Sequence, residues 1–410
     1  MTDASVSEAE HLGPDYFQDP LSYFSRLRER CPVIPVKLPG GDATLWTITR
    51  YADVRAALAD PRLHKDWERH MTGPDWTPDQ ATGFLNIHML NTDPPDHTRL
   101  RRLVQKAFTP GRVAALRPRI EAITASLLDA MASDALAGGL AGTAEVDLIA
   151  AFAFPLPMTV ISELIGVPEG NRDEFSAWSH VLLSSTATAA EFRTVGTAMY
   201  GFFMSLIEAK RAAPADDLLS ALIQARDSGD ALTERELLAM IFLLLVAGHE
   251  TTVNLIASGV LALLEHPAEL ARLRADPALL PGAVEELLRY CNPLNHATER
   301  FTLEPLQIGG VTIPARQWVL CVTSSANRDP DRFEDPDQLD VGRDAAGHVA
   351  FGHGIHYCLG APLARLEGEI AFGALLARFP SLSLACDPAQ LRWRPSSLIH
   401  GLETLPVRLG

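Results

Sequence analysis

From about residue 96 to residue 290 the chain places apolar residues three and four positions apart, as in "RIEAITASLLDAMA" and "VEELLRY". That spacing gathers them on one face of a helix, so this half of the molecule must fold as helices that bury their stripes against one another. Hydrophobic residues at 47% with charged residues at 21% supply enough apolar surface to offset the entropy of ordering the chain. Thr109 followed by Pro110 reads as an N-cap with proline at the first helical position, and predicts a helix to about Met131. Thr233 with Glu236 three residues later is a capping-box pattern, and predicts a helix to about Glu265.

Strand signals are short and lie toward the ends: "PVIPVKL" and "ATLWTITRY" early, "GGVTIPARQWVLCVT" and "LETLPVRL" late, with the "IGG" before "VTIP" read as a tight hairpin. Between about 327 and 350, Pro, Asp and Gly are too dense for a regular element, so an ordered meander is expected. The fold class is mainly α with a minor β-sheet. No stretch reads as a flexible linker, which leaves one large domain or two tightly fused lobes open.

A net charge of −16 argues against nucleic acid or an anionic membrane as the main partner. One stretch runs the other way: Asp96 to Glu121 contains Arg99, Arg101, Arg102, Lys106, Arg112, Arg117 and Arg119 with no acid between. It is either a solvated helix face or a docking patch for an acidic partner. Five cysteines, far apart and odd in number, do not form the disulfide framework of a small secreted domain, and a reducing cytosol fits them better. The first residues, "MTDASVSEAEHLG", lack the basic start and apolar stretch of a signal peptide. The longest apolar run, Leu237 to Gly248, is short of the roughly twenty residues of a spanning helix, so a cytoplasmic protein is expected.

The chemistry concentrates in "FGHGIHYCLG", residues 351 to 360. A lone thiol is ordinarily a buried core residue. Here Gly352, Gly354 and Gly360 allow a close backbone approach, and the helical run "GAPLARLEGEIAFGALLARF" puts Cys358 at a helix N-terminus, where a thiolate is favoured. No second cysteine or histidine pair stands at zinc-finger spacing, whereas a single axial thiolate suits haem iron. The stretch resembles the haem-binding loop of the cytochromes P-450 at every fixed position: Phe351, Gly354, His356, Cys358 and Gly360.

Three further motifs carry that resemblance along nearly the whole chain, and it implies one cytochrome P-450 domain over 1–410. Its β-rich parts would lie near 33–50 and 298–323 and at the C-terminus, and its helical core over about 96–290 and 358–378. "AGHETT", 247 to 252, could by itself be a bend in which threonine bonds back to Ala247; the resemblance makes Glu250 and Thr251 the acid and alcohol that deliver protons, with Gly248 leaving room for oxygen beside the haem. Glu286 and Arg289 in "EELLR" would otherwise be a surface pair; the resemblance makes them, with Arg343, a buried charge network behind the cysteine loop. His97 and Arg101 in "DHTRLRR", with Arg300 and His356, resemble the partners of the haem propionates, and Phe351, Gly352, Gly360 and Gly248 join the cofactor site.

The resemblance implies haem b held by Cys358, dioxygen as co-substrate, and hydroxylation of a C–H bond or epoxidation of a C=C bond. It also implies a ferredoxin that docks near Arg102 and Lys106 and is reduced from NAD(P)H by a reductase, no nucleic acid or membrane partner, and a monomer. Pocket walls are expected from "WERHMTGPDWTPDQATGFLNIHML", "WSHVLLSSTATAAEF", "AMIFLLLVAG", "PLNHA" and "PSSLIHG". The wording "HVAFGHGIHYCLGAPLARLE" resembles actinobacterial members that tailor macrolides and other polyketides. Terpenoid or steroid hydroxylation, phenol coupling, peroxide-driven oxidation and a non-catalytic haem sensor stay open as alternatives.

Overall fold

The computed structural model describes residues 9–409 apart from 40, 42, 68–69, 71–82, 138–144 and 228–231. Helices dominate. The six used below are α1 (Asp96–Val104), α2 (Arg117–Leu136), α3 (Pro155–Ile165), α4 (Glu234–Glu265), α5 (Leu280–Cys291) and α6 (Ala361–Arg378). α4 is the axis of the core: α3, α5 and α6 pack around it, and α2 lies across α3 and α6.

α4 starts where its capping box says. Thr233 Oγ1 accepts the Glu236 N–H at 3.2 Å and the Glu236 carboxylate accepts the Thr233 N–H at 2.7 Å, which satisfies two donors that a helix end leaves orphaned. It stops at His266, ahead of Pro267. By length and composition α4 could cross a membrane, and in that respect it exceeds the apolar run read from the sequence; but 78% of its most apolar window is buried in the protein. Its apolar girth is what an all-round core helix requires.

The helix expected from Thr109 to Met131 is broken. Pro110–Ala115 forms one short helix, α2 starts afresh at Arg117, and Thr109 makes no side-chain cap. Pro118 is the cause: proline has no N–H to donate to the carbonyl four residues back, at Ala114, so the first helix cannot run on, whereas the first turn of α2 needs no such donor.

Among the described residues eleven strands form three small sheets: β1 (Glu10–His11), β2 (Val33–Lys37), β3 (Thr44–Ile48), β4 (Leu63–His64), β5 (Glu145–Asp147), β6 (Arg300–Thr302), β7 (Leu306–Ile308), β8 (Val311–Ile313), β9 (Trp318–Cys321), β10 (Ser383–Leu384) and β11 (Pro406–Arg408). The largest runs β1-β2-β3-β9-β6-β4, with β3 parallel to β9 and β6 antiparallel to both β9 and β4. Gly309 and Gly310, at φ +56° and +80°, make the β7–β8 hairpin turn that side chains would strain. β10-β11-β5 ties the C-terminus to the helical body.

From Asn327 to His353 the backbone is turns and bends, and buried charge holds it. Glu286 and Arg289 are wholly buried, joined by Nε–Oε2 and Nη2–Oε1 bonds of 2.7 Å each. Arg343 Nε reaches Glu286 Oε1 at 3.1 Å. Arg289 Nη1 donates to the carbonyls of Asn327 and Pro336 at 2.9 and 2.8 Å, so side chains on α5 replace the backbone ladder that this segment lacks.

Candidate active site

Between α4 and the 351–360 loop lies a cavity with an empty volume of about 1480 Å³, including the space at its mouth. Cys358 opens onto it two residues before its helix, whose N-cap is Gly360. Gly352 and Gly354 take the left-handed region at φ +71° and +75°, and a Cβ on Gly354 would meet the Leu58 carbonyl at 2.9 Å. The Cys358 N–H closes the loop on the Phe351 carbonyl at 2.9 Å. Gly360 differs from these two: its φ is −81°, and a Cβ there would stand at an ordinary contact distance, 3.9 Å, from the Cys358 sulfur.

Enclosure by protein raises the thiol pKa of Cys358, while the N–H groups of Gly360 and Ala361 and the charges of Arg101 and Arg365 pull it down. A ligated cation would tip that balance to the thiolate.

Four nitrogen-bearing side chains of the lining, His97, Arg101, Arg300 and His356, stand near one another, the last feeling the charge of the other three. The His97 and His356 rings stand 4.4 Å apart, and Arg101 Nη2 donates to the Tyr357 carbonyl at 2.7 Å. Burial, then the charges of Lys65 and Arg300, pushes the His356 imidazole down to about 2; burial and Arg101 also lower His97. Both ring nitrogens of His97 and the Nε of Arg300 are buried without hydrogen-bond partners among the described residues. Unsatisfied donors at the wall of a cavity are costly unless an anionic group meets them. A flat group carrying carboxylates and a metal fits these residues: the carboxylates answer His97, Arg101, Arg300 and His356, and the metal answers Cys358.

Thr251, on α4, also lines the cavity, its hydroxyl donating to the Ala247 carbonyl at 3.0 Å. Glu250 does not line the cavity. It is buried behind it, with Oε2 accepting from Arg394 Nη1 at 2.9 Å and Oε1 3.7 Å from His249 Nε2. Burial alone would raise its pKa, but His249 and Arg394 overcome that and hold it at about 2. Gly248 lines the cavity, and its missing side chain also answers a second demand: a Cβ would meet Ile161 Cγ1 of α3 at 2.6 Å. The close crossing of α3 and α4 thus gives a reason for this glycine that the sequence did not suggest.

Of the expected pocket segments, Leu243 and Leu244 on α4, Pro293, Leu294 and Ala297, and Met89 and Leu90 do form walls. Residues 178–192 and 395–401 do not, and 68–69 and 71–82 lie outside the described residues. Three further buried charges bear on the site. Arg394 is the partner of Glu250. Lys65, pushed down to about 7 by burial and by Arg300, donates to Thr298 Oγ1 and the Glu299 carbonyl at 2.6 and 2.8 Å. Glu367 lines the cavity, and its burial, only partly offset by the Thr252 hydroxyl, raises it to about 8. Lys65 and Arg394 stand in no motif, and Glu367 only closes the stretch that begins at His348; the burial of such charges is visible only once the helices are packed.

The basic stretch divides. Arg99 pairs with Glu236 and Asp96, Arg117 with Glu369, and Arg119 with Glu163, while Arg101 faces the cavity. Arg102, Lys106 and Arg112 are exposed.

The family model "Cytochrome P450" matches residues 175–389. Cytochrome P450 107B1 of Saccharopolyspora erythraea is 51% identical over 422 residues, covering 100% of each chain. The vitamin D(3) 25-hydroxylase of Pseudonocardia autotrophica is 46% identical over 411 residues, covering 100% of this chain and 98% of its own. The solved structure of the tirandamycin C-bound P450 monooxygenase TamI superposes with a TM-score of 0.89 at 49% identity, over 98% of this chain and 100% of that one. Other relatives are hydroxylases and epoxidases of macrolide and polyketide pathways. With the cysteine loop, its cavity and these likenesses in agreement, the chain belongs to the cytochrome P450 family, whose members bind haem through the cysteine thiolate.

Proposed function

We propose that this P450 monooxygenase oxidises a bulky apolar secondary metabolite, a macrolide or related polyketide, by hydroxylation or epoxidation. The observation that carries the reading is the cavity itself, with a thiol at its floor, unsatisfied cationic and imidazole donors in its lining, and an aliphatic roof from Leu243, Leu244 and Leu294. Haem, when bound, supplies activation of dioxygen and insertion of one oxygen atom. Cys358 would ligate its iron, and His97, Arg101, Arg300 and His356 would hold its propionates. The aliphatic roof orients the substrate by excluding water from one face. Glu250 and Thr251 bring protons to the cavity. Glu250, ionised on Arg394, takes up a proton when it leaves that partner, and the Thr251 hydroxyl offers the next oxygen toward the cavity.

A reduced-plus-carbon-monoxide difference spectrum tests the foundation. The wild type should show the strongly red-shifted Soret band of thiolate ligation, and Cys358→Ser should lose it; a histidine-type spectrum in the wild type would overturn the assignment. Titration with macrolactones should then give a tight spectral change, followed by a product heavier by one oxygen. A secosteroid or steroid is the second reading, favoured by the 46% identity to a vitamin D(3) hydroxylase. Tighter binding of that class would displace the polyketide reading, and fast reduction without turnover of any substrate would favour a sensor.

The electron donor in this proposal is an acidic ferredoxin, reduced from NAD(P)H by its reductase in the cytoplasm and met by a monomer. Its dock is the exposed set Arg102, Lys106 and Arg112. They neighbour α1, whose Arg101 touches the cysteine loop at Tyr357. Arg102→Glu should slow reduction several-fold at low salt and lose that difference at high salt. Salt-independent reduction would remove the patch from the argument.

A further inference from the structure

Among the described residues one set of three potential metal ligands comes together outside the cavity: His64, His70 and Asp93, whose ligand atoms all lie within 4.8 Å of one another. We propose that these three residues form a site for a divalent transition-metal ion of the zinc class, and that the ion ties together the two ends of the 71–92 segment.

Each ligand is placed by a different part of the fold. His64 ends β4, where it pairs with Phe301 of β6. Asp93 precedes α1 and is oriented by backbone donors: the Lys65 N–H reaches its two oxygens at 3.1 and 3.2 Å, and the Asp66 N–H reaches Oδ2 at 3.2 Å. A carboxylate held this way has little freedom left to lose on binding a cation, which is the usual service of the groups behind a metal ligand. His70 stands with its ring centroid 5.5 Å from that of His64, and Arg316 Nη2 holds its carbonyl at 3.3 Å. Both imidazoles lean on Phe301, at 5.8 and 5.9 Å, so one apolar ring backs the pair.

The spacing suits the chemistry. A tetrahedral zinc with bonds of about 2.0–2.1 Å sets its ligand atoms roughly 3.3 Å apart. His64 Nδ1 and Asp93 Oδ2 are already 3.3 Å apart, and the third ligand atom, on His70, lies within 4.8 Å of both. Two imidazoles with one carboxylate select zinc and its neighbours over calcium or magnesium, which prefer oxygen alone. All three residues are half-buried, open enough for an ion to enter with water as a fourth ligand. The nearest ammonium, Lys65, spends its Nζ on Thr298 and Glu299.

The position gives the site a consequence. The chain between His70 and Asp93 includes Met89 and Leu90, which line the cavity. An ion on all three residues cross-links the base of that segment, so its occupancy reports on how firmly one cavity wall is held.

The test uses the haem-loaded enzyme with any affinity tag removed, titrated with zinc against a chromophoric chelator, beside His64→Ala and His70→Ala. Both variants should keep the wild-type reduced-plus-carbon-monoxide spectrum, since neither residue touches the cavity. One zinc per chain is expected, with each variant weakening it about tenfold or more. Amide hydrogen exchange at residues 64–67 and 87–93 should slow with zinc in the wild type and not in His70→Ala. No stoichiometric binding, or binding that survives both substitutions, would overturn the site; binding without a change in exchange would overturn the tie.

Discussion

Two buried glutamate–arginine pairs in this molecule look alike on paper and differ in what surrounds them. Glu286 lies three residues from Arg289 on α5, and its carboxylate is saturated: two bonds from Arg289, one from Arg343 and one from the Asp340 N–H at 3.2 Å. Glu250 lies 144 positions from Arg394 and takes one bond from it, with His249 at a looser 3.7 Å. The first carboxylate has no oxygen left to offer, which suits a pin that holds the 327–350 meander. The second keeps part of one oxygen unclaimed beside a cavity-lining threonine, which suits a group that changes partners.

The comparison breaks most sharply at Glu286. Glu286→Gln leaves Arg289 buried without a countercharge and with one side-chain acceptor in place of two, and should cost about 3–5 kcal/mol in urea unfolding, with haem released early. Glu250→Gln should do the reverse: a smaller loss of stability, a normal carbon-monoxide spectrum, and product formation down about 10²-fold, roughly the value of a positioned acid. If the two variants lost equal stability, the distinction between a saturated and an unsaturated carboxylate would fall.

Arg394→Met sharpens it further. Without the guanidinium, burial is opposed by His249 alone, so the Glu250 pKa should rise, and the acid limb of the turnover-versus-pH profile should move upward with it. An unmoved profile would mean that Arg394 merely fills space. The smallest effect is in acid. Glu250 has a folded pKa of about 2, below its ordinary 4.5, so it stabilises the fold above about pH 4.5 and loses that contribution as pH falls toward 2. Melting temperatures of the wild type and Glu250→Gln should therefore converge over that window; parallel curves would deny the shift.

The same contrast shows what could be read before folding. Glu286, Arg289 and the capping box of Thr233 and Glu236 act across three residues of one helix, and local spacing displays them. The break at Leu116 is also local, since Pro118, like Pro110, stands in the first turn of a helix and lacks the N–H that would continue a preceding one. The demand of Ile161 on Gly248 and the partnership of Arg394 with Glu250 join elements with no sequence relation, so no pattern announces them. The basic stretch shows a mixture: its charge is plain in sequence, but the pairing of Arg99, Arg117 and Arg119 with acids on other helices leaves only part of it to face solvent.

By itself the sequence determined the helical majority, the turn chemistry around Cys358 and the donors gathered near it, because periodicity, glycine freedom and spacing along one helix are properties of neighbouring residues. Only the tertiary structure decided which donors went unsatisfied, which buried carboxylate kept an open oxygen, and which histidines met an aspartate from another part of the chain. Those outcomes depend on desolvation, and a residue is desolvated by whatever packs over it, however far away that lies along the chain.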